Sequence, residues 1–267
     1  GMAKKVKYKP RLIFTANAHF PNELFKIWTA FACVSSDAKL VVSEHGNVMH
    51  MRLSLMDHEE AISYRKVVWG AERHLNHVRL PAQKTLRKPK KYSSTGQFCT
   101  IVGQEFPTYA YRCQSGPNSS LILEDFQQKM NFINLLSSCV TKKLRIRPYP
   151  NQGWDLAGKY TELYGVEKID QSITLRASYA RSKVIVCGYP QTIFLEALVS
   201  GKPTILLYTQ KYWELEKIYD GLISEMRDAS LVFACPDKAA GHINRIWRDP
   251  VEWWNDPKTV AAREHFF

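Results

Sequence analysis

The sequence predicts an α/β protein built on parallel sheets, and three observations support this. Residues 183–187 (KVIVC) and 204–208 (TILLY) are continuous apolar runs of strand length, typical of strands buried on both faces. Residues 193–199 between them have the length and composition of a helix, so the three segments form a βαβ unit. Strand and helix candidates alternate through the second half of the chain, and this alternation implies a parallel sheet covered by helices.

The first third of the chain has the pattern βαβαβ. Its strand candidates are short apolar runs: 11–16, 39–43 and 66–69. Its helix candidates follow capping residues: 23–34, and Asp57 to about residue 65. In the first helix Leu24, Ile27, Trp28 and Phe31 recur at helical spacing, and we expect them to pack on the sheet.

The second half continues the alternation. The predicted strands are 98–104, 108–112, 144–147, 183–187, 204–208 and 231–234. The predicted helices are 121–138, 154–164, 173–181, 193–199, 213–226 and 237–247. A basic, proline-containing connection near residues 80–92 predicts a domain boundary. We therefore expect a domain over 1–88, a second over 89–250, and a C-terminal helix over 251–267 that packs back on the body.

The chain is strongly basic. Lys and Arg total 37 against 25 Asp and Glu, which gives a net charge of +12 and a pI near 9.4. We expect this surface to attract polyanions, phosphorylated small molecules or an anionic membrane face. The six cysteines lack CxxC pairs, which favours reduced thiols in a cytoplasmic protein and shows no zinc pattern. The sequence shows no apolar run of bilayer-spanning length and no signal-peptide pattern.

The start of the helix in the βαβ unit is the first candidate for a binding site. It follows the carboxyl end of a strand, where free N–H groups and the helix dipole favour a phosphate. Gln191 and Thr192 are placed to hydrogen-bond phosphate oxygens, and a plain capping role accounts for Thr192 equally well. Glu196 is the single charge of this helix. It either binds sugar or ribose hydroxyls beside the phosphate or is simply a carboxylate favoured by the dipole.

Arginines end another predicted strand. Arg145 and Arg147 alternate with Leu144 and Ile146, so both point to one side. Arg147, at the carboxyl end, is a candidate for a bidentate contact to phosphate or carboxylate, with a salt bridge as the alternative.

Histidines follow strands of the first domain. His45, in a polar turn after the second strand, is a candidate for proton transfer on an acceptor hydroxyl. His19 has the same placement after the first strand, with a weaker case. The acidic and histidine residues at 57–60 suit a helix start better than a metal site, so we expect no metal.

Several blocks resemble known enzymes. FLEAL with GKP (194–198 and 201–203) resembles the donor-site segment of GT-B glycosyltransferases, where E-x-x-x-x-G-x-P is common. From about Arg11 to the end, the order of further blocks resembles a family of bacterial surface-carbohydrate biosynthesis transferases, related to enzymes of capsule, lipopolysaccharide and teichoic-acid assembly. These blocks are SEHG (43–46), DHE (57–59), KVVWG (66–70), RPYP (147–150), YWEL (212–215), IW (246–247) and WW (253–254).

The resemblance implies a GT-B-like architecture: two Rossmann-like domains facing a cleft, the second holding a nucleotide-activated donor and the first presenting the acceptor. Glu196 would contact the donor's hydroxyls, and His45 would line the acceptor side. The donor's phosphates would be contacted by Arg147 and by the turn that includes Tyr189, Gln191 and Thr192. Glu44 and Asn47 depart from the Gln and Gly of relatives, and the first domain, with about three strands, is short or truncated beside a full doubly wound sheet of about six.

The resemblance implies a transferase that moves a sugar or related unit from a nucleotide-activated donor to an acceptor hydroxyl in surface polysaccharide synthesis. The expected partners are the nucleotide sugar as substrate, without a cofactor, and a glycan or lipid-linked acceptor. The expected location is the cytoplasm, with peripheral contact at the inner membrane face. The alternatives are a sugar-nucleotide epimerase of the same architecture, an inactive relative, and a non-catalytic polyanion-binding protein with nucleic acid as the obvious polyanion. Nucleic acid is the less favoured partner, because the basic residues are not interleaved with aromatics in an RNA-binding motif.

Overall fold

The computed structural model describes residues 9–46, 57–70, 72–82, 96–109 and 116–266. The chain divides into two compact units, and the described residues of each form one parallel sheet. The first unit has a four-stranded sheet and the second a five-stranded sheet. The predicted α/β class with two parallel sheets is confirmed.

The sheet of the first unit has one strand more than the sequence indicated. Its parallel strands lie in chain order: β1 (Leu12–Thr15), β2 (Lys39–Ser43), β3 (Arg65–Val68) and β4 (His77–Arg79). Helix α1 (Glu23–Ser36) connects β1 to β2, and α2 (Asp57–Ile62) precedes β3. The prediction of three strands was wrong because β4 has only three residues, too few to show a pattern.

Helix α1 buries a different face from the one predicted. Asn22 caps it, with its side chain accepting from the Phe25 N–H at 3.0 Å. Trp28 packs on the core of β1 and β2, but Leu24 is 68 % exposed, Ile27 58 % and Phe31 41 %. The expectation that these three residues pack on the sheet was therefore wrong. Two apolar stripes run along this helix, and helical spacing alone does not say which one faces the sheet.

The sheet of the second unit is doubly wound. Its strands are β5 (Phe98–Val102), β6 (Leu144–Arg147), β7 (Ser182–Cys187), β8 (Thr204–Leu207) and β9 (Val232–Phe233). They are parallel, in the order β6-β5-β7-β8-β9. The strand order reverses beside β5, which creates a topological switch point between β5 and β7. In open α/β sheets ligands bind outside the carboxyl ends of the strands at such a point.

Helices cover both faces of this sheet. They are α3 (Leu121–Asn134), α4 (Ser138–Thr141), α5 (Leu156–Tyr164), α6 (Leu175–Arg181), α7 (Thr192–Val199), α8 (Asp220–Asp228), α9 (Pro236–Ile246), α10 (Pro250–Trp254) and α11 (Pro257–Phe266). Residues of α3 and α9 share one core cluster with Ile101, Ile146 and Val186 of the strands. Right-handed crossovers that run in opposite directions from the switch point place α3 and α7 on opposite faces.

Three further predictions differ from the structure. The helix predicted over 121–138 is interrupted between α3 and α4, and the helix predicted from 213 begins only at Asp220, as α8. Trp213 lies instead in a buried loop, where its ring meets Tyr189 and Phe106. In the strand predicted over 108–112, Thr108 and Tyr109 form a bend, and the remainder lies outside the described residues.

The cysteines and the C-terminal residues can be compared with what the sequence predicted. The five described cysteines are free thiols, and Cys99 and Cys187 are buried in strands as expected. The last residues form two helices, α10 and α11, rather than one. The ring of Phe266 in α11 lies 5.5 Å from that of Phe194 in α7.

Candidate functional site

The turn between β7 and α7 lies against the end of β5. The Gly188 N–H donates to the Val102 carbonyl at 2.9 Å. A Cβ added at Gly188 would lie 2.9 Å from that carbonyl oxygen and 3.0 Å from Lys129 Cε. Glycine is thus required here by the close approach of two neighbours rather than by a positive φ.

Helix α7 begins without a side-chain cap. Gln191 occupies the N-cap position with extended backbone, and its side chain makes no capping hydrogen bond. Thr192, predicted as the cap, is the first helical residue instead, because the Gln191 carbonyl already accepts from the Phe194 N–H at 2.9 Å. The dipole at this helix start therefore favours an anion without competition from a capping side chain.

Tyr179 on α6 contacts the first turn of α7. Its hydroxyl donates to the Ile193 carbonyl in the first turn of α7 at 3.2 Å. Burial raises the pKa of Tyr179 well above its usual value, and the carboxylate of Glu196 adds to this while the guanidinium of Arg147 opposes it. Both charges thus act on a buried hydroxyl that contacts the first turn of α7.

Arg147 is held in place by an acidic neighbour. Its guanidinium lies 3.2 Å from Asp170 Oδ2 and donates to the Ser172 carbonyl at 2.8 Å. Burial opposes ionisation of Asp170, but hydrogen bonds from serines and from Arg147 outweigh it and lower the pKa of that carboxyl. The salt bridge considered from the sequence is thus present, and it orients the guanidinium. Arg145, two residues earlier, lies over the ring of Phe98 at 4.2 Å instead.

Tyr189 lies in the turn before α7, and Glu196 lies within α7 itself. Tyr189 is buried and stacks on Trp213, with ring centroids 5.9 Å apart. Burial raises the pKa of Tyr189, with smaller contributions from Cys187, Tyr149 and Glu196. Glu196 is half-buried, and its negative charge also raises the pKa of Cys187 beyond the effect of burial. The structure thus brings Arg147, Tyr189, Gln191, Thr192 and Glu196 together at the carboxyl edge of one sheet.

Sequence reasoning missed two buried residues of this region. Tyr179 gave no signal, because its position depends on packing between α6 and α7. Lys129 did give one: it lies three residues after Phe126 and beside Met130, on the apolar stripe of α3. A charge within a buried stripe indicates a specific partner or a ligand.

His45 lies in the first unit, exposed after β2. The preceding residue, Glu44, fixes this turn: its N–H donates to the Val67 carbonyl at 2.9 Å, and its carboxylate accepts from the Trp69 N–H at 2.7 Å. Asn47, the other departure noted from the sequence, lies outside the described residues. His19 is buried instead, with its Nε2 2.9 Å from Glu59 Oε1.

A group of acidic and histidine side chains in the first unit has the composition of a metal site. Ligand atoms of Glu60, His74 and His77 lie within 4.8 Å of one another. However, His77 Nδ1 accepts the Arg73 N–H at 3.1 Å, so its Nε2 carries the proton of the neutral ring and offers no lone pair. The ammonium of Lys66, 3.3 Å from Glu60 Oε1, already supplies a positive charge. These residues do not fit a metal ion.

The fold defines a class of protein. The second unit is a doubly wound parallel α/β sheet, and proteins of this class bind ligands at the carboxyl ends of their strands. A family model described as LIC12162 family transferase matches residues 1–267, and the chain belongs to that family.

Three solved structures align with nearly the whole of this chain. The alignment with TarM has a TM-score of 0.52 at 12 % identity and covers 97 % of this chain and 52 % of TarM, so this chain spans about half the length of TarM. The spinosyn forosaminyltransferase SpnP aligns with a TM-score of 0.46 at 11 % identity, covering 100 % of this chain and 74 % of its own. The calicheamicin glycosyltransferase CalG4 aligns with a TM-score of 0.44 at 11 % identity, and the alignment covers 98 % of this chain and 70 % of CalG4.

The likeness to TarM shows the GT-B-like fold, and the resemblance seen in the sequence to a GT-B-like transferase family is confirmed. Among functionally curated proteins none matches this sequence significantly. No helix in the described ranges is both long and apolar enough to cross a bilayer.

Proposed function

We propose that this transferase moves a sugar or related unit from a nucleotide-activated donor to an acceptor hydroxyl, in the synthesis of a surface polysaccharide. The observation that carries the proposal is the arrangement around Tyr179. A guanidinium, an uncapped helix start and a carboxylate share one buried neighbour at the carboxyl edge of the second sheet. Membership of a transferase family supports the reaction type.

Each group has a role that follows from its chemistry. Arg147 and the first turn of α7, with Gln191 and Thr192, bind the donor's phosphates and stabilise the charge that develops on the leaving group. Glu196 accepts hydrogen bonds from ribose or sugar hydroxyls beside them. Tyr189 lines the turn. The proposal requires no cofactor and no metal, because fixed positive groups face the phosphates.

In this proposal His45 is the general base for the acceptor. Imidazole is the side chain that most often acts as a general base in enzymes, and this one is exposed to solvent. A glycan or lipid-linked acceptor at the cytoplasmic face of the inner membrane is the proposed partner. The net charge of +12 supports such peripheral contact, because anionic headgroups attract basic surfaces.

Titration with nucleotide sugars tests the donor site. We expect at least one of the UDP, GDP, CDP or CMP sugars to bind, as measured by calorimetry and by ligand-observed NMR. Arg147→Met and Glu196→Gln should each weaken that binding about tenfold or more, since each loses a hydrogen bond to a charged group. Arg145→Met is the matched control: it removes a guanidinium from the same side of the same strand and should leave the affinity unchanged.

Two results would contradict the proposal. The first is that no nucleotide sugar binds to the folded protein. The second is nanomolar, steeply salt-dependent binding of RNA or DNA, which is the behaviour of a polyanion-binding protein. Once a donor is found, transfer of its labelled sugar to a membrane or polysaccharide fraction tests the acceptor half of the proposal.

A further inference from the structure

A buried lysine lies against the same turn from the other side. Lys129 of α3 is 3 % exposed, and its Cε lies 3.0 Å from where a Cβ would stand at Gly188. Gly188 directly follows β7, and Val102 ends β5; these two strands flank the topological switch point. The ammonium end of this side chain is therefore at the crevice where open α/β sheets hold ligands.

The hydrogen-bonding capacity of this ammonium is only partly used. Its Nζ donates to Asp125 Oδ1 at 2.8 Å. Among the described residues this is its one side-chain or main-chain acceptor, whereas an ammonium group has three N–H donors. A buried charged donor with unfilled directions is costly, and a bound anion would fill them.

Stability gives little reason for the pair. A buried ion pair can commonly be replaced by apolar side chains of similar volume without loss of stability, because desolvation offsets the attraction between the charges. Asp125 and Lys129 are both buried on a helix whose other inward residues, such as Phe126 and Ile133, are apolar. The Asp125–Lys129 pair holds an ammonium group beside the Gly188 turn, whereas two apolar side chains would place no charge there.

The lysine and the arginine approach the turn from opposite sides of the sheet. Arg147 alternates with Ile146, which belongs to the core cluster shared with α3, so Arg147 points to the face that carries α6 and α7. Lys129 comes from α3, on the other face. A ligand at the switch point therefore meets positive charge from both sides.

A second buried donor lies next to this turn. Trp213 is 1 % exposed and stacks on Tyr189, and its indole Nε1 has no acceptor within the part of the chain that the structure describes. Buried indole N–H groups usually have a partner. Trp213 stacks on Tyr189, the residue after Gly188, so a ligand bound at this turn could accept the indole hydrogen bond.

We infer that Lys129 is a second phosphate contact of this site, so that the site takes the pyrophosphate of a nucleoside diphosphate rather than a single phosphate. One phosphate lies at the start of α7 with Arg147, and Lys129 contacts the other. This inference rests on the proposed donor site and adds to it the number of phosphates in the donor.

Paired nucleotides with the same base test this inference. The titrated pairs are UDP and UMP, GDP and GMP, and CDP and CMP. Each is added to the wild-type protein and to the double variant Asp125→Leu, Lys129→Met, which removes both charges together. Circular dichroism and the thermal midpoint confirm that the variant folds. We expect the wild type to bind one diphosphate at least tenfold tighter than its monophosphate. In the variant this ratio should fall below threefold while the monophosphate affinity stays within twofold.

The outcomes separate this inference from the proposed function. If the wild type binds a nucleotide but the double variant keeps the wild-type ratio, Lys129 is a structural residue and the donor site stands. A wild-type preference for the monophosphate also overturns the inference alone. If the wild type binds none of the six nucleotides and no nucleotide sugar, both fail together. Should the double variant not fold, Lys129→Arg serves instead: it keeps the charge and should keep a ratio above threefold, and a ratio below that contradicts a charge contact.

Discussion

The hydroxyl of Tyr179 donates a hydrogen bond to the main-chain carbonyl of Ile193 at 3.2 Å, which ties α6 to the first turn of α7. The carbonyl belongs to the same turn whose N–H groups favour an anion. The bond therefore fixes the start of α7, the helix that carries Glu196, relative to α6. The charges of Arg147 and Glu196 both act on Tyr179. A packing contact between two helices thus orients the proposed donor site.

Tyr179→Phe should weaken donor binding without unfolding the protein. Loss of one hydrogen bond costs about 1 kcal/mol of the free energy of unfolding. When the first turn of α7 is held less firmly, the affinity for the donor should fall about tenfold, which corresponds to about 1.4 kcal/mol of binding free energy. Tyr164→Phe is the control, because it removes a hydroxyl bonded to Asn134 at 3.2 Å on the surface. Equal affinity of the two variants would show that the Tyr179 bond does not orient the site.

Gly188→Ala should destabilise the second unit, whereas the same change at Gly241 should stabilise it. The new Cβ at position 188 meets backbone at 2.9 Å, and overpacking of this kind costs about 2 kcal/mol. Gly241 lies inside α9 with nothing within 4 Å of an added Cβ, so alanine there gains about 0.5–1 kcal/mol of helix propensity. Urea denaturation of both variants checks the sign. A neutral Gly188→Ala would mean that the turn has room to move.

The parts of this fold that the sequence predicted are those set by local pattern. Strand β2 begins at Lys39 and β6 ends at Arg147 as predicted, because apolar runs and breakers lie side by side in the chain. The stop of α7 at Gly201 was also predicted, and its φ of +76° shows why glycine stands there. The proposed role of Glu196 rests on the same kind of local reasoning, since it is the single charge in an apolar helix.

Features set by tertiary contacts were not predicted. Tyr179 matters because α6 packs beside α7, and no spacing within either helix reveals that. Trp213 lies in a segment with helical composition, yet its ring is buried against Tyr189 and holds the segment as a loop. The side of α1 that faces the sheet depends likewise on the register between helix and strands. Burial of large side chains overrides local propensity at these positions.

His45→Ala should abolish most turnover and leave donor binding intact. Loss of a general base lowers rates by about 100-fold or more. The side chain is exposed, so the free energy of unfolding should change by less than about 0.5 kcal/mol. The rate of sugar transfer and the affinity for the donor are measured separately. His265→Ala, which removes an exposed histidine from α11, is the control. If the His45 variant keeps its rate, another group removes the acceptor proton.

His242 makes the stability of the second unit sensitive to mild acid. It is buried in α9 against the rings of Phe233 and Trp253, with centroids at 5.3 Å and 4.6 Å. Burial, together with the nearby Arg245, lowers the pKa of His242 to about 4. In the unfolded chain the same imidazole has a pKa of about 6.5. Between these values the unfolded chain binds a proton that the folded protein does not, so stability is complete above the unfolded pKa and falls as the pH drops towards 4.

The loss from this one group amounts to about 3 kcal/mol at pH 4. His242→Phe keeps an aromatic ring between Phe233 and Trp253 but cannot titrate, so its stability should depend less on pH over that range. The measurement is urea denaturation of both proteins at several pH values from 7.5 to 4, followed by the fluorescence of tryptophan. The quantity of interest is the wild-type stability minus that of the variant, which should decrease as the pH falls. A difference that stays constant with pH would show that His242 is protonated equally in the folded and unfolded states.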